Sequence, residues 1–261
     1  MAVSPCIAVV GKGGVGKTTL AAFTLRHLLD SKVSPILAVD ADPSVCLAGV
    51  LGVTISETIG GIRENTRSVA RGIPAGIPKQ QYLELKIQEA VTEARGFDLL
   101  TMGRPEGPGC YCFVNNVLRD HLDRLARGYR ATVIDCEAGL EHISRRTSRD
   151  VDTMILVADP TLKAMDTLRH VIEIAEDLNN KVSRKLLLLN RVPAGLEDRV
   201  RRAAFDRLDP DQFEAIGLIP QDDSIFEAEL EGNNLLEIDP SIPAYRSFQQ
   251  FIASLSHPLI D

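Results

Sequence analysis

The chain alternates short apolar runs with segments in which apolar residues recur every three or four positions. Runs without polar interruption indicate strands buried on both faces, whereas the longer recurrence indicates helices that pack on a sheet. The predicted strands are residues 7–10, 36–39, 99–102, 131–134, 153–158, 186–189 and 214–218. The predicted helices are residues 18–29, 80–94, 116–126, 162–178, 196–208 and 245–255.

This order of elements predicts an α/β fold, with a mostly parallel sheet of about seven to eight strands and helices on both faces. Residues 60–78 contain glycine, proline and arginine without clear periodicity, so we expect a long loop there. No shift in composition marks a boundary along the chain. We therefore expect a single domain over residues 1–261.

Composition narrows the possible classes of function. The net charge of -7 and the pI near 5.3 argue against a dedicated nucleic-acid surface. No apolar run approaches the roughly 20 residues of a membrane-spanning helix, and residues 1–5 lead directly into the first predicted strand. Five cysteines, two of them one residue apart, are not typical of a secreted disulfide-bonded domain. We expect a cytoplasmic protein without a nucleic-acid or membrane partner.

A glycine-rich segment joins the first predicted strand to the first predicted helix. It consists of Gly11, Lys12, Gly13, Gly14, Val15, Gly16, Lys17, Thr18 and Thr19. Strand, loop and helix in this order are the context that the phosphate-loop pattern G-x-x-x-x-G-K-[ST] requires. Its glycines let backbone N–H groups turn towards one anion, and the helix dipole adds positive charge at the same point. In this pattern Lys17 contacts the β- and γ-phosphates of a nucleotide, and the Thr18 hydroxyl contacts Mg²⁺.

The second lysine of this loop, Lys12, is not needed for phosphate binding alone. The sequence K-G-G-x-G-K-T-T resembles the deviant phosphate loop of the nitrogenase iron protein, MinD and ParA family of P-loop NTPases. The resemblance implies a homodimer that sandwiches two nucleotides, in which Lys12 takes part in catalysis by reaching the phosphates bound to its partner.

Three aspartates follow predicted strands at the edge of the sheet where the phosphate loop begins. Asp40 and Asp42 follow the second strand, and Asp135 follows the fourth. The first two can face a metal ion and a water molecule, and Asp135 at the tip of an apolar strand is suited to hold Mg²⁺ or its water. The family resemblance implies that Asp42 positions the attacking water and that Asp40 lies near the magnesium shell. It also implies that Gly139 lets the next segment move when the γ-phosphate leaves.

Two later segments indicate a pocket for the nucleotide base. Asn190 ends one strand with an amide that can pair with adenine, and Pro220 and Asp222 end the next with a flat ring and a polar neighbour. They are similar to the adenine-contacting N-R and I-P-x-D segments of nitrogenase-iron-protein-like ATPases. GTPases with phosphate loops usually carry N-K-x-D, whereas Arg191 follows the asparagine here. We therefore expect ATP as substrate and ADP as product.

A glycine- and proline-rich loop after the third strand contains Cys110 and Cys112. Two close thiols in an intracellular protein favour a soft metal ion over a disulfide. One pair supplies two ligands, whereas a closed zinc site needs four. A two-fold homodimer would complete a four-thiolate cage on its axis, and the same dimer would sandwich the nucleotides. The alternative is a pair of inert, packed cysteines.

A larger pattern then sharpens the prediction. P-G-C-Y-C-x-x-N-N, D-C-E-A-G-x-E-H and V-A-D-P-T together resemble the CooC-type nickel-insertion ATPases, nearly from end to end of the chain. The resemblance implies an ATP- and Mg²⁺-dependent homodimer that binds Ni²⁺ or Zn²⁺ through Cys110 and Cys112. Its client would be apo carbon monoxide dehydrogenase or acetyl-CoA synthase. Composition and spacing alone do not identify nickel.

Three other functions compete with this prediction. An ATP-dependent iron–sulfur reductase of the nitrogenase iron protein type uses two well-separated cysteines per subunit. Seven residues after Asp135, this chain has His142 and not the second cysteine of that type. The sequence still allows an iron–sulfur cluster bound by the C-x-C pairs. A ParA/MinD-type positioning ATPase needs a surface for DNA or membrane, and residues 248–257 lack a Lys/Arg face. A metal-storage protein with a vestigial nucleotide site is disfavoured because Lys17, Thr18, Asp42 and Asp135 are all present.

Overall fold

The computed structural model describes residues 4–62, 77–104, 124–136, 151–177 and 182–260. In these ranges the predicted fold class is confirmed, because eight strands form one sheet with helices packed against it. The strands are β1 (Cys6–Gly11), β2 (Ile36–Asp40), β3 (Val91–Ala94), β4 (Phe97–Thr101), β5 (Ala131–Asp135), β6 (Val151–Ala158), β7 (Val182–Val192) and β8 (Ala215–Pro220). The helices are α1 (Lys17–Asp30), α2 (Leu47–Val50), α3 (Lys79–Glu89), α4 (Leu162–Asp177), α5 (Glu197–Phe205), α6 (Asp223–Leu230) and α7 (Pro243–Ala253).

The strand order across the sheet is β3-β4-β2-β5-β1-β6-β7-β8. All neighbouring strands run parallel except β3 and β4. Strands β5 and β6 lie on opposite sides of β1, so the order of the strands reverses there. Open α/β sheets bind ligands beyond the carboxyl ends of their strands at such a reversal. The glycine-rich segment after β1 lies at this place.

The prediction of a helix over residues 80–94 is wrong at its end. Helix α3 ends at Glu89, and β3 pairs antiparallel with β4 from Val91 opposite Leu100 to Ala94 opposite Phe97. Val91 is β-branched and so favours a strand. The two residues between the strands end in Gly96, whose φ of 88° is one that glycine adopts readily.

One helix is not predicted, and two other predicted segments are only partly described. The sequence pattern does not predict α6, a helix of eight residues whose Phe226 and Leu230 side chains are exposed. Residues 59–62, at the start of the predicted loop over 60–78, are helical, and residues 63–76 lie outside the described ranges. Of the predicted helix over 116–126, only residues 124–126 are described, and they are helical.

The core surrounds the central strands, where Val9 of β1 and Leu156 of β6 are fully buried. Helix α1 packs on this core and meets α7 through three buried rings. The ring of Phe23 lies 5.0 Å from that of Tyr245 and 5.8 Å from that of Phe248, measured between centroids. These contacts fix the helix that begins at the glycine-rich segment. None of the helices in the described part of the chain is long and apolar enough to cross a membrane.

Candidate active site

The loop between β1 and α1 adopts a conformation that requires glycine at several positions. Gly14 and Gly16 have φ angles of 84° and 94°, which side chains disfavour. A Cβ atom at Gly16 would also lie 2.3 Å from Nδ2 of Asn190. At Gly11 a Cβ would lie 2.3 Å from the carbonyl oxygen of Val157. The loop is therefore packed closely between the ends of β6 and β7.

The side chain of Lys17 lies within this loop. It is buried, and its ammonium donates a hydrogen bond of 3.2 Å to the carbonyl oxygen of Lys12. Lys17 is also the first residue of α1, and the preceding residue, Gly16, has no side chain to cap the helix. The first N–H groups of α1 and the ammonium thus concentrate positive charge at one point, which suits an anion such as a phosphate.

Thr18 of α1 and Asp135 of β5 meet beside the loop. The Thr18 hydroxyl donates a hydrogen bond of 2.6 Å to Oδ2 of Asp135. Asp135 is fully buried, and its Oδ1 has no hydrogen-bond partner among the described residues. Burial raises the pKa of Asp135 to about 7, with a further contribution from Asp40 and Asp42, whereas the Thr18 hydrogen bond and Lys17 oppose the rise. An unpartnered carboxylate oxygen beside a hydroxyl fits Mg²⁺, which prefers oxygen ligands.

Asp40 is buried as well, but both of its oxygens bind backbone groups. Oδ2 accepts a hydrogen bond of 2.9 Å from the Leu47 N–H, and Oδ1 accepts one of 3.2 Å from the Asp42 N–H. Burial raises the pKa of Asp40 to about 6, and these N–H groups limit the rise. Asp40 thereby holds the segment between β2 and α2. In that segment Asp42 is half-buried and accepts a hydrogen bond of 2.8 Å from the Ser44 N–H.

An open cavity of about 700 Å³ lies over the loop. Its walls include Gly13, Lys17, Thr18, Asp42, Cys46 and Arg191. Backbone N–H groups, an ammonium and a hydroxyl converge there with the Asp42 carboxylate. This donor set fits a polyphosphate together with Mg²⁺.

A second cavity, of about 350 Å³, adjoins the first. The two share Thr19, Arg191 and Glu229, so a single elongated ligand can occupy both. The walls of the second cavity also include Phe23, Asn190, Pro220, Gln221, Asp222 and Phe226. Apolar surface from Phe23, Pro220 and Phe226 thus lies next to several polar groups, a combination that suits a small organic ligand such as a nucleotide base.

The two polar side chains predicted to contact the base are held by the protein itself. Nδ2 of Asn190 donates a hydrogen bond of 2.8 Å to the Val15 carbonyl, so this amide joins the second cavity to the loop. Oδ1 of Asp222 accepts from the Ser224 N–H at 3.1 Å, and Oδ2 accepts from the Ala244 N–H at 2.9 Å. One carboxylate therefore binds the first turns of α6 and α7. Contacts of these residues with adenine stay predictions.

The structure also adds residues that sequence reasoning did not assign to the site. Arg191, which the sequence indicates only as the second residue of the N-R segment, lines both cavities. Cys46 lines the first cavity, six residues after Asp40, and Phe226 lines the second with 66% of its surface exposed. No sequence signal points to Phe226, because its helix is not predicted.

The predicted soft-metal ligands Cys110 and Cys112 lie outside the described residues, as do Gly139 and His142. In the ranges that are described, no three His, Cys, Asp or Glu residues are grouped so that they could hold a metal ion. This is compatible with a magnesium–nucleotide site, because Mg²⁺ there takes one or two protein ligands and fills its shell with phosphates and water.

Comparison with known proteins places the chain in a family. Residues 6–236 match the CobQ/CobB/MinD/ParA nucleotide binding domain. An uncharacterized ATP-binding protein of Methanocaldococcus jannaschii is 39% identical over 246 residues, which cover 94% of this chain and 95% of that protein. The carbon monoxide dehydrogenase accessory protein CooC of Rhodospirillum rubrum is 31% identical over 247 residues, 90% of each chain.

Solved structures agree on the fold. The MinD cell division protein of Aquifex aeolicus superposes with a TM-score of 0.67 at 20% identity, over 99% of this chain and 100% of that chain. The septum site-determining protein MinD of Pyrococcus horikoshii, in complex with Mg-ADP, gives a TM-score of 0.64 at 23% identity, over 95% and 94%. The glycine-rich loop, the Thr18–Asp135 pair and the two joined cavities of this chain thus lie in residues or a fold that the comparisons match. The matching family model describes a nucleotide binding domain. The chain belongs to the CobQ/CobB/MinD/ParA family of nucleotide-binding domains and is a P-loop ATPase.

Proposed function

We propose that the chain hydrolyses ATP as a homodimer and uses this cycle to deliver Ni²⁺ or Zn²⁺ to an apo-enzyme. The observation that carries the hydrolytic part is the pair formed by Thr18 and Asp135. A hydroxyl and a buried carboxylate, one of whose oxygens has no partner in the described ranges, lie beside the Lys17 ammonium at the end of β1. This is the arrangement that a magnesium–triphosphate needs.

Each residue of the site has a distinct part in hydrolysis. Lys17 leaves the Lys12 carbonyl and contacts the β- and γ-phosphates. Thr18 and Asp135 would hold Mg²⁺ or its water, and bound Mg²⁺ would neutralise charge that develops on the phosphates. Asp42, at the wall of the same cavity, orients the attacking water. The products are ADP and phosphate.

The base of the nucleotide occupies the second cavity. Pro220 and Phe226 provide apolar surface there, and Asn190 connects this surface to the phosphate loop. Adenine is the base that the N-R and I-P-x-D segments favour. The side chain of Lys12 reaches the phosphates bound to the partner, so that the homodimer is the active form.

The metal-delivery part is supported by the relation to CooC of Rhodospirillum rubrum and by the C-x-C pair. Cys110 and Cys112 of each subunit form a four-thiolate cage for the metal ion that is the cargo. ATP favours the closed dimer, the dimer completes the cage, and hydrolysis opens both. Apo carbon monoxide dehydrogenase or acetyl-CoA synthase receives the metal.

Phosphate release from Mg-ATP tests the hydrolytic part. Wild-type protein is expected to hydrolyse ATP, and Lys17→Ala is expected to show no measurable turnover while its circular dichroism spectrum is unchanged. A matched control is Lys163→Ala, which replaces an exposed lysine on α4. Equal turnover in Lys17→Ala and wild type would remove this site from the mechanism.

Metal titration of the reduced protein, with and without a non-hydrolysable ATP analogue, tests the delivery part. We expect about one Ni²⁺ or Zn²⁺ per dimer with four thiolate ligands. The double variant Cys110→Ser, Cys112→Ser should lose the metal and keep ATP binding, whereas Cys46→Ser, which changes an exposed cysteine, should keep the metal. Iron and sulfide in anaerobically purified protein, in place of bound Ni²⁺ or Zn²⁺, would instead indicate an iron–sulfur reductase.

A further inference from the structure

We propose that Arg191 is a positioning residue of the ATPase, which holds the phosphate loop in its anion-binding conformation through the Gly14 carbonyl. This inference rests on the proposed binding of a nucleotide at that loop. It assigns the guanidinium a function in preorganising the loop, in addition to its place beside the base cavity.

Two neighbouring residues of β7 bind two neighbouring carbonyls of the loop. Nη1 of Arg191 donates a hydrogen bond of 2.8 Å to the carbonyl oxygen of Gly14. Nδ2 of Asn190 donates one of 2.8 Å to the carbonyl oxygen of Val15. The end of β7 therefore fixes the middle of the loop at two consecutive peptide groups.

The orientation of these carbonyls decides whether the loop can bind an anion. Backbone N–H groups converge on an anion only when the carbonyls between them point away from it. Gly14 has a φ of 84°, and glycine changes its backbone conformation more easily than other residues. A donor on its outward carbonyl restricts that freedom before the ligand arrives. Such preorganisation raises affinity because less order must be imposed on binding.

The backbone of β7 is shaped to aim Arg191 at the loop. The pairing of β7 with β8 is regular up to Leu189 and resumes at Val192, with a shift of register between them. Bulges of this kind redirect side chains next to functional sites. Arg191 itself has a φ of 57°, a conformation that is unfavourable for an arginine. Glycine would be the more stable residue at this backbone position, so the contact of the arginine side chain with the Gly14 carbonyl is made at a cost in backbone free energy.

The surroundings of Arg191 leave its charge available to the site. The residue lines both cavities, and its Nε lies 3.9 Å from the position of a Cβ built on Gly16. Among the residues that the structure describes, no carboxylate forms an ion pair with Arg191. The guanidinium therefore acts on the loop and is not held by an acidic neighbour in the described ranges.

The test compares Arg191→Gly with Lys32→Gly. Lys32 is the matched control because it is also an exposed basic residue with a positive φ, 60°, but lines neither cavity. Both substitutions relieve the backbone and remove one positive charge. The measurements are the dissociation constants of ATP and of inorganic tripolyphosphate, which has no base, and the melting temperature of the ligand-free protein. Titrations at raised salt suppress the long-range effect of the lost charge.

We expect Arg191→Gly to melt no lower than wild type and to bind both ATP and tripolyphosphate about tenfold more weakly, at low and at raised salt. Lys32→Gly should bind both ligands as wild type does. Unchanged affinity in Arg191→Gly would overturn the proposal. A loss for ATP alone would assign Arg191 to the base and would overturn it too, as would a lower melting temperature with unchanged affinity.

The outcome is separable from that of the proposed function. Wild-type protein that binds ATP without hydrolysing it would contradict the proposed hydrolysis, yet the affinities of Arg191→Gly would still decide the function of Arg191. Conversely, an active wild type with an unaffected Arg191→Gly variant would leave the ATPase intact and remove only this residue.

Discussion

The Thr18 hydroxyl donates a hydrogen bond of 2.6 Å to a carboxylate oxygen of Asp135, a residue that lies 117 positions later in the chain. The contact joins the first turn of α1 to the end of β5. It brings together a hydroxyl that the phosphate-loop pattern requires and an acid at the tip of an apolar strand. Because Asp135 is fully buried, its charge has consequences for stability as well as for metal binding.

The first prediction concerns the pH dependence of stability without ligand. The pKa of Asp135 is raised to about 7 by burial, and an unfolded chain releases this proton near pH 4. Because the pKa is higher in the folded state, Asp135 contributes stability that is fully present below pH about 4, the pKa in the unfolded chain. This contribution is lost as pH rises to about 7, the pKa in the folded protein. We expect the free energy of unfolding of the metal-free protein to fall over this window by up to about 1.4 kcal/mol per pH unit for this group.

The variant Asp135→Asn isolates that effect. It carries no titratable proton, so its unfolding free energy from urea titrations should depend less on pH between about 4 and 7. A smaller slope should remain, because burial also raises the pKa of Asp40, to about 6. Glu237→Gln, which changes an exposed carboxylate, is the control and should retain the wild-type slope. Parallel curves for Asp135→Asn and wild type would contradict the raised pKa of Asp135.

The second prediction concerns Gly16. Alanine there combines a φ of 94° with a Cβ that would lie 2.3 Å from Nδ2 of Asn190. We expect Gly16→Ala to lower the unfolding free energy by about 2 kcal/mol or more and to prevent nucleotide binding. Gly13→Ala is the control for stability, since a Cβ at Gly13 meets no atom within 4 Å. Urea denaturation and titration with a fluorescent ATP analogue measure the two effects.

The third prediction concerns the attacking water. Asp42→Asn keeps an oxygen that can accept the hydrogen bond from the Ser44 N–H, so the turn should persist. The variant loses the negative charge that is proposed to orient the water, and we expect ATP turnover to fall by about a hundredfold or more with ATP affinity maintained.

The chain offers a close control for this substitution. Asp239-Pro240-Ser241 repeats the sequence of Asp42-Pro43-Ser44, and Oδ1 of Asp239 accepts a hydrogen bond of the same length, 2.8 Å, from the Ser241 N–H. Asp239→Asn should leave turnover unchanged. If Asp42→Asn hydrolyses ATP as fast as Asp239→Asn, another residue orients the water.

The fourth prediction concerns the homodimer. The backbone carbonyl of Lys12 accepts the hydrogen bond from Lys17, so Lys12→Gln alters only the side chain that is proposed to reach the partner. We expect the variant to bind the ATP analogue and to dimerise at least about tenfold more weakly, as for the loss of one charge-assisted hydrogen bond. Sedimentation equilibrium with the analogue and Mg²⁺ measures this. Lys163→Gln should dimerise like wild type, and equal dimerisation by Lys12→Gln would argue against a contact across the dimer.

Much of the fold follows from the sequence because the interior strands β1, β2, β5 and β6 are buried on both faces. A run such as Met154 to Val157, apolar at each position, is compatible with few other environments, and the structure places it in β6 at the centre of the sheet. Strand β3 escapes prediction because it is an edge strand of four residues that continues the apolar spacing of α3. Helix α6 escapes for a related reason, since the side chains of Phe226 and Leu230 face solvent and not a core.

In the candidate site, too, the sequence predicts residues of a contiguous motif and misses contacts between residues far apart in the chain. The phosphate-loop pattern is contiguous in sequence and indicates Lys17 and Thr18 directly. The proposed role of Arg191 depends on a register shift at the end of β7. Its guanidinium contacts the Gly14 carbonyl, 177 positions earlier in the chain. The capping of two helices by Asp222 likewise depends on where α7 lies in space. Pairings of this kind leave no periodic trace in the sequence.

The Asp222 carboxylate connects the second cavity with helix α7. One of its oxygens binds the start of α6, beside the second cavity, and the other binds the start of α7. Helix α7 in turn presses its aromatic rings on Phe23, which lines that same cavity. Displacement of α7 would therefore disturb both the start of α6 and the packing on Phe23, two parts of the wall of the second cavity, and would weaken the binding of a ligand there.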